Sequence, residues 1–157
     1  MPPVSKKNII TYMPRKLSNH SDLVIKFTKN ILPKNWKIKP ISALNQKNTF
    51  KMLCTSKIFL SFSYLEGLGL PPIEAALTKN IVIGYTGEGG KQYWRKPIFN
   101  QIYNGDIINF SKTLLKEINY YNFSKKHETS RKSLLNKFSN MREINNIKKL
   151  LGRISSL

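Results

Sequence analysis

Cysteine is nearly absent: Cys54 is the only one in 157 residues. A lone thiol excludes an internal disulfide framework and a cysteine-rich metal site. Histidine is scarce as well, with His20 and His127 only. No apolar run reaches the roughly 20 residues that a membrane-spanning helix needs. The opening MPPVSKKN is basic but has no apolar stretch behind it, so it does not read as a secretory signal. A soluble cytoplasmic protein is therefore expected. Acids are the rarest charged class, eight Asp and Glu against 27 Lys and Arg, which leaves a formal charge of +19.

A charge of that size suggests a polyanionic partner. The lysines, however, arrive with abundant Asn and Ile, as an A/T-rich coding sequence tends to produce. They are also scattered, as at Lys6, Lys26, Lys51, Lys79, Lys112 and Lys149, with no dense block. Compositional drift and a solvated surface account for most of the excess. A nucleic-acid module would need a clustered basic face with interleaved aromatics, and none is evident. If there is an anionic partner, a membrane surface is as eligible as nucleic acid. Against this background the few acids are informative. Three of the eight, Glu66, Glu74 and Glu88, fall in one short glycine-rich stretch.

The length suits one ordinary domain, and hydrophobic residues are 40% of the chain and well spread. Asn8 to Met13 reads as a strand, followed by a helix from Asp22 to Leu32. Candidate caps for that helix are Ser18, Asn19 and Ser21, and Leu23, Phe27 and Ile31 lie on one face. Trp36 to Ile41 alternates apolar and basic residues, and Pro40 confines it to an edge. Asn45 to Ser56 is expected to be helical with Phe50, Leu53 and Cys54 inward. Lys57 to Ser63 reads as a strand.

Pro71 and Pro72 suit the first turn of a helix that Asn80 would close in a left-handed conformation. Ile81 to Tyr85 reads as a buried parallel strand. A glycine-rich loop follows, then a helix from Asp106 with Ile107, Phe110, Leu114 and Ile118 on one face. Beyond Phe123 the chain is basic with helical apolar spacing, including Leu134, Leu135, Phe138, Ile147, Leu150 and Leu151. Alternating strands and helices predict an α/β fold, a Rossmann-like parallel sheet with helices on both faces.

In such a sheet, ligands collect at the carboxyl ends of the strands. Three segments follow predicted strands and so share that rim: Arg15 and Lys16, the loop EGLGLPP, and the loop TGEGG. Gly67 and Gly69 let backbone approach a ligand closely. The helix start behind them offers free N–H groups and a positive dipole end, so a phosphate is expected near the backbone of Gly69 and Leu70. Glu74, placed on the first helical turn, could accept two hydrogen bonds from a ribose diol. Glu66 would face the space beyond the phosphates.

The run E-G-x-G-L-P-P-x-E-A, followed by a strand and a glycine-rich loop, resembles the C-terminal, donor-binding domain of GT-B glycosyltransferases, specifically retaining family 4 (group 1). The similarity runs from about Lys7 to Glu117, and YMPRK resembles the strand and basic loop that open that domain. The resemblance implies a nucleotide-sugar-binding unit over residues 1–120, with 121–157 as a basic helical tail packed on it. It implies a hexosyltransferase, of the polysaccharide-building kind, that takes a nucleoside-diphosphate sugar as substrate and needs no cofactor and no metal.

By the same resemblance, Arg15 and Lys16 would neutralise the diphosphate, while Gly67, Gly69 and Leu70 would hold it through backbone. Glu74 would grip the ribose, and Glu66, the catalytic candidate, would contact the sugar near the reacting carbon. Gly89 and Gly90 would shape the adjoining loop. The chain departs from the family at Thr78-Lys79-Asn80, and at Gln92 where a Glu is usual. The resemblance also implies a separate N-terminal acceptor domain, and Met1 lies almost directly on the second domain. The alternatives are a split or truncated copy that needs that domain for turnover, and a basic nucleic-acid-binding module.

Other reactive types carry bland readings. His20 reads as a surface or capping residue, His127 as a solvated one, Cys54 as a small core residue, Tyr93 and Trp94 as packing aromatics, and Glu88 as a loop carboxylate.

Overall fold

The computed structural model describes residues 5–14 and 17–139. Five strands, β1 (Ile9–Tyr12), β2 (Lys37–Pro40), β3 (Ile58–Ser63), β4 (Ile81–Thr86) and β5 (Phe99–Gln101), form one sheet in the order β2-β1-β3-β4-β5. All four pairings are parallel. The helices are α1 (Ser18–Lys29), α2 (Gln46–Thr55), α3 (Leu70–Leu77), the single turn α4 (Gly87–Gly90), α5 (Ile107–Asn119) and α6 (Lys125–Lys137). This is the expected Rossmann-like α/β architecture.

Register explains the core. Ile58, Leu60 and Phe62 of β3 stand beside Ile81, Ile83 and Tyr85 of β4. Alternation sends these six to one face, where Val24 of α1 and Phe110, Leu114 and Ile118 of α5 cover them. Phe59 and Val82 point the other way, onto Leu53 of α2, Ile73, Ala75 and Ala76 of α3, and Leu134 of α6. A strand covered on both faces must be apolar at every step, which is why β3 and β4 read as unbroken apolar runs. Phe62 stacks on Phe110 with centroids 4.8 Å apart, and Tyr85 meets both edge-on. Each such buried side chain contributes about 1.5–3 kcal/mol.

Several local expectations are corrected. Leu23, Phe27 and Ile31 are 44%, 61% and 58% exposed, and α1 instead buries Ser21, Val24 and Thr28. Small side chains let this helix lie close to the sheet, and Ser21 and Thr28 satisfy their hydroxyls on the carbonyls of Ser18 and Val24. Helix α1 starts at Ser18, and Leu17 before it is left-handed. In α2, capped by Asn45, Leu53 is buried but Phe50 is exposed and Cys54 only half-buried. Lys79, rather than Asn80, takes the left-handed conformation after α3. Asn80 is buried, and its amide donates to the carbonyls of Leu53 and Ala75. Strand β5 was not expected: three residues, two of them polar, carry no alternation.

Two other expectations, at β2 and α5, hold. Pro40 ends the edge strand β2. Asp106 caps α5, accepting from the Asn109 N–H at 3.0 Å, with Phe110, Leu114 and Ile118 inward. Helix α6 packs on α3, where Arg131 donates to the Leu77 carbonyl and pairs with Glu128. Ile147, Leu150 and Leu151 lie outside the described residues. Among the described residues no helix is long and apolar enough to cross a membrane.

One topological fact positions everything that follows. The chain goes from β1 outward to β2, then returns across β1 to β3. Strand order therefore reverses between β1 and β3, and the crevice outside their carboxyl ends is where open parallel sheets take ligands.

Candidate functional site

Among the described residues, two of the three expected segments, the loops after β3 and β4, lie at the carboxyl ends of the strands. Strand β1 runs out through Met13 and Pro14 toward Arg15 and Lys16, which lie outside the described residues. Strand β3 runs into the loop carrying Glu66, Gly67 and Gly69. Strand β4 ends directly on Gly87–Gly90. Met13, Ser63, Pro71 and Pro72 wall a narrow slot at the reversal point.

Gly69 is the N-cap of α3 in a left-handed conformation, φ 67°, with no side-chain cap. A residue with a Cβ is strained there. The two prolines in the first turn carry no N–H, so they remove two donors that would otherwise need partners. The N–H groups of Gly69 and Leu70 are left beside the loop, and Leu70 is 60% exposed. Glu74 comes one residue later than expected: it opens the second turn of α3, past the reach of most of the dipole's benefit.

The two glycine loops interlock. The Gly89 N–H donates to the Glu66 carbonyl at 3.1 Å. A Cβ on Gly89 would fall inside the Gly67 carbonyl, so only glycine permits this approach. Gly89 and Gly90 sit in a helical turn, α4, rather than in an open loop, with Gly90 buried beside the Trp94 indole. Glu66 is half-buried between them, its Cβ 3.4 Å from where a Gly87 side chain would start. From below, the Tyr93 hydroxyl donates to the Gly69 carbonyl at 2.9 Å. Burial pushes the Tyr93 phenol up to about 12, so it stays a neutral donor through physiological pH.

Glu74 faces a different opening. It lines a cleft of about 340 Å³ with Gln46, Lys47, Thr49 and Phe50, on the first turns of α2. This carboxylate and the exposed Phe50 ring share one concavity between α2 and α3. The structure thus brings Glu66, Gly67, Gly69, Leu70, Gly89 and Gly90 into one assembly and sets Glu74 on its flank.

The residues that sequence reasoning missed have specific partners. Tyr93 is packed, as expected of an aromatic, but it also holds the Gly69 turn. Phe50 was expected inside and instead opens the Glu74 cleft. His20 is half-buried rather than at the surface, with Nδ1 3.0 Å from the Tyr85 hydroxyl and the two rings edge-to-face. Alternation along β4 was the available signal, since it turns Tyr85 toward α1. Glu88 meets only Lys91, at 2.8 Å and well exposed, a pair worth little to stability. His127 is half-buried rather than solvated: it closes a capping box with Ser124, and burial holds its imidazole below the usual range.

Fold and rim define a five-stranded, parallel, Rossmann-like α/β domain with its glycine loops at a sheet reversal point. Solved structures it is similar to include two of TarM. In one, a point mutant of S. aureus TarM in complex with fondaparinux, α-GlcNAc-glycerol and UDP, the match has a TM-score of 0.71 at 18% identity. A second TarM structure matches with a TM-score of 0.67 at 20% identity. Both matches cover 96% of this chain and 36% of TarM, so the chain spans about a third of that protein's length. No protein-family model and no curated protein sequence matches.

Proposed function

We propose that this chain is the donor-binding half of a GT-B glycosyltransferase of the retaining, family 4 type, which takes a nucleoside-diphosphate sugar. The observation that carries the reading is the interlock at the β1/β3 reversal. A left-handed Gly69 opens α3, Glu66 lies against it, and Glu74 stands beside it in a cleft of about 340 Å³. The fold shared with TarM, a protein crystallised with UDP, supports the same reading.

In this reading the diphosphate lies at the Gly69–Leu70 backbone, with Arg15 and Lys16 supplying fixed positive charge as it departs. Glu74 accepts hydrogen bonds from the ribose diol, and the base enters the cleft beside Phe50. Glu66 faces the sugar, whose transition state is oxocarbenium-like. The acceptor is held by a domain outside this chain.

Calorimetry with UDP-, GDP-, ADP- and dTDP-sugars tests the proposal. Saturable binding of one donor class is expected, and binding of none overturns it.

A further inference from the structure

We propose that a second cleft, between α6 and the segment leading into β5, is a binding site for a phosphate monoester. This does not rest on the donor reading. The cleft holds about 200 Å³, and its polar lining includes Arg95, Lys137, Ser130 and Ser133. No carboxylate is among its lining residues.

The donors converge from two sides. Ser130, Ser133 and Lys137 fall three and four residues apart, on one face of α6. Across the cleft, one nitrogen of the Arg95 guanidinium, Nη1, donates to the carbonyls of Lys91 and Trp94 at 3.1 and 2.8 Å. That fixes the fork against backbone and leaves its other N–H groups without a protein acceptor among the described residues. Lys137 gives one bond, 2.9 Å, to the Gln92 carbonyl and lies over the Phe138 ring, keeping donors in reserve.

Among the described residues neither cation has a carboxylate within 4 Å. Glu128 is committed to Arg131 and Lys79, and Glu88 to Lys91. The site is therefore rich in donors and lacks a counter-charge. A tetrahedral oxyanion with three terminal oxygens can meet a guanidinium, an ammonium and hydroxyls at once, whereas a planar carboxylate would satisfy the fork alone. The buried Ile98, Phe99 and Leu134 complete the lining with apolar surface, suited to the carbon skeleton that carries the phosphate. The concavity is compact and takes one such group, not a polymer backbone lying along a groove. An anion seated there would clip α6 to the segment that contains Tyr93.

The test titrates the full chain by calorimetry with inorganic phosphate, glycerol phosphate, a hexose phosphate and UDP. Arg95→Ala and Lys137→Ala remove the two cations, and Lys132→Ala removes an exposed α6 lysine that does not line the cleft. All three positions are exposed, so the fold tolerates the changes. Saturable binding of the esters is expected, about tenfold weaker in Arg95→Ala and in Lys137→Ala and unchanged in Lys132→Ala. Tighter binding of the esters than of inorganic phosphate identifies the carried group as the ligand. Inorganic phosphate binding as tightly as the esters would overturn that part. Equal losses in all three variants would overturn the site, since they would report only the general charge of the chain. Competition by UDP, with loss in Glu74→Ala, would also overturn it by moving the anion to the rim.

Discussion

The two edges of the sheet treat polar groups in opposite ways. At the amino edge they are buried or half-buried and paired with one another or with backbone carbonyls. Ser56 Oγ meets Asn80 Oδ1 at 2.8 Å, and the Asn80 amide donates to the carbonyls of Leu53 and Ala75. The Lys6 ammonium donates to the carbonyls of Leu53 and Ser56, at the carboxyl end of α2. Lys57 donates to the Asn8 side chain and lies over the rings of Trp36 and Tyr121. At the carboxyl edge, loops of glycine and proline are pinned by backbone bonds while Leu70, Gly67 and the Glu74 cleft stay open to solvent. Strand β3 is buried throughout and β4 at all but its last residue, so the difference lies in the connections. One edge closes its polar groups into a network, and the other holds them ready.

The comparison predicts that substitutions at the amino edge lower stability and leave ligand affinity alone, with the reverse at the rim. Asn80→Ala removes the centre of a buried network and strands several partners, so urea unfolding should show a loss of about 3 kcal/mol. Nucleotide affinity should be unchanged. Glu74→Ala should weaken nucleotide-sugar binding by roughly 10- to 100-fold in calorimetry, the loss of charge-assisted bonds to a diol, at little cost in stability. An effect of Glu74→Ala on unfolding alone would break the contrast.

Lys6 sharpens it through pH. Burial holds the Lys6 ammonium down to about 7 in the folded protein, against 10.5 for the free side chain. Between those values the unfolded chain binds more protons than the folded one. Lys6 therefore makes stability rise with pH across that window, by about 1.4 kcal/mol per unit at most. Lys6→Met should flatten that part of the profile, and nucleotide affinity should not follow it. The smallest effect is expected at Tyr93→Phe, which removes one hydroxyl from the Gly69 carbonyl. Roughly fivefold weaker donor binding is expected, about 1 kcal/mol, with the melting temperature nearly kept.

How much of this was legible follows from which forces leave marks in sequence. Strands β3 and β4 were readable because burial on both faces forbids polar interruption. Helix α5 was readable because Asp106 caps it and Phe110, Leu114 and Ile118 keep helical spacing. The glycine loops were readable because close backbone approach admits no side chain, as Gly89 against Gly67 illustrates. The buried face of α1 was not readable, since close packing on the sheet favoured Ser21, Val24 and Thr28 over the larger residues beside them. Phe50 misled for a related reason: a cleft opens where a core position was expected. Tyr93 reads the same in sequence whether it packs or clamps, and only its 2.9 Å bond to Gly69 separates the two roles.

The central claim concerns where a nucleotide binds, so amide chemical shifts recorded on titration with UDP test it most directly. The account predicts that the largest changes fall on Gly67, Gly69, Leu70 and Gly89, with the amides around Asn80 and Lys6 still. Changes centred on the amino edge, or none at the glycine loops, would contradict it.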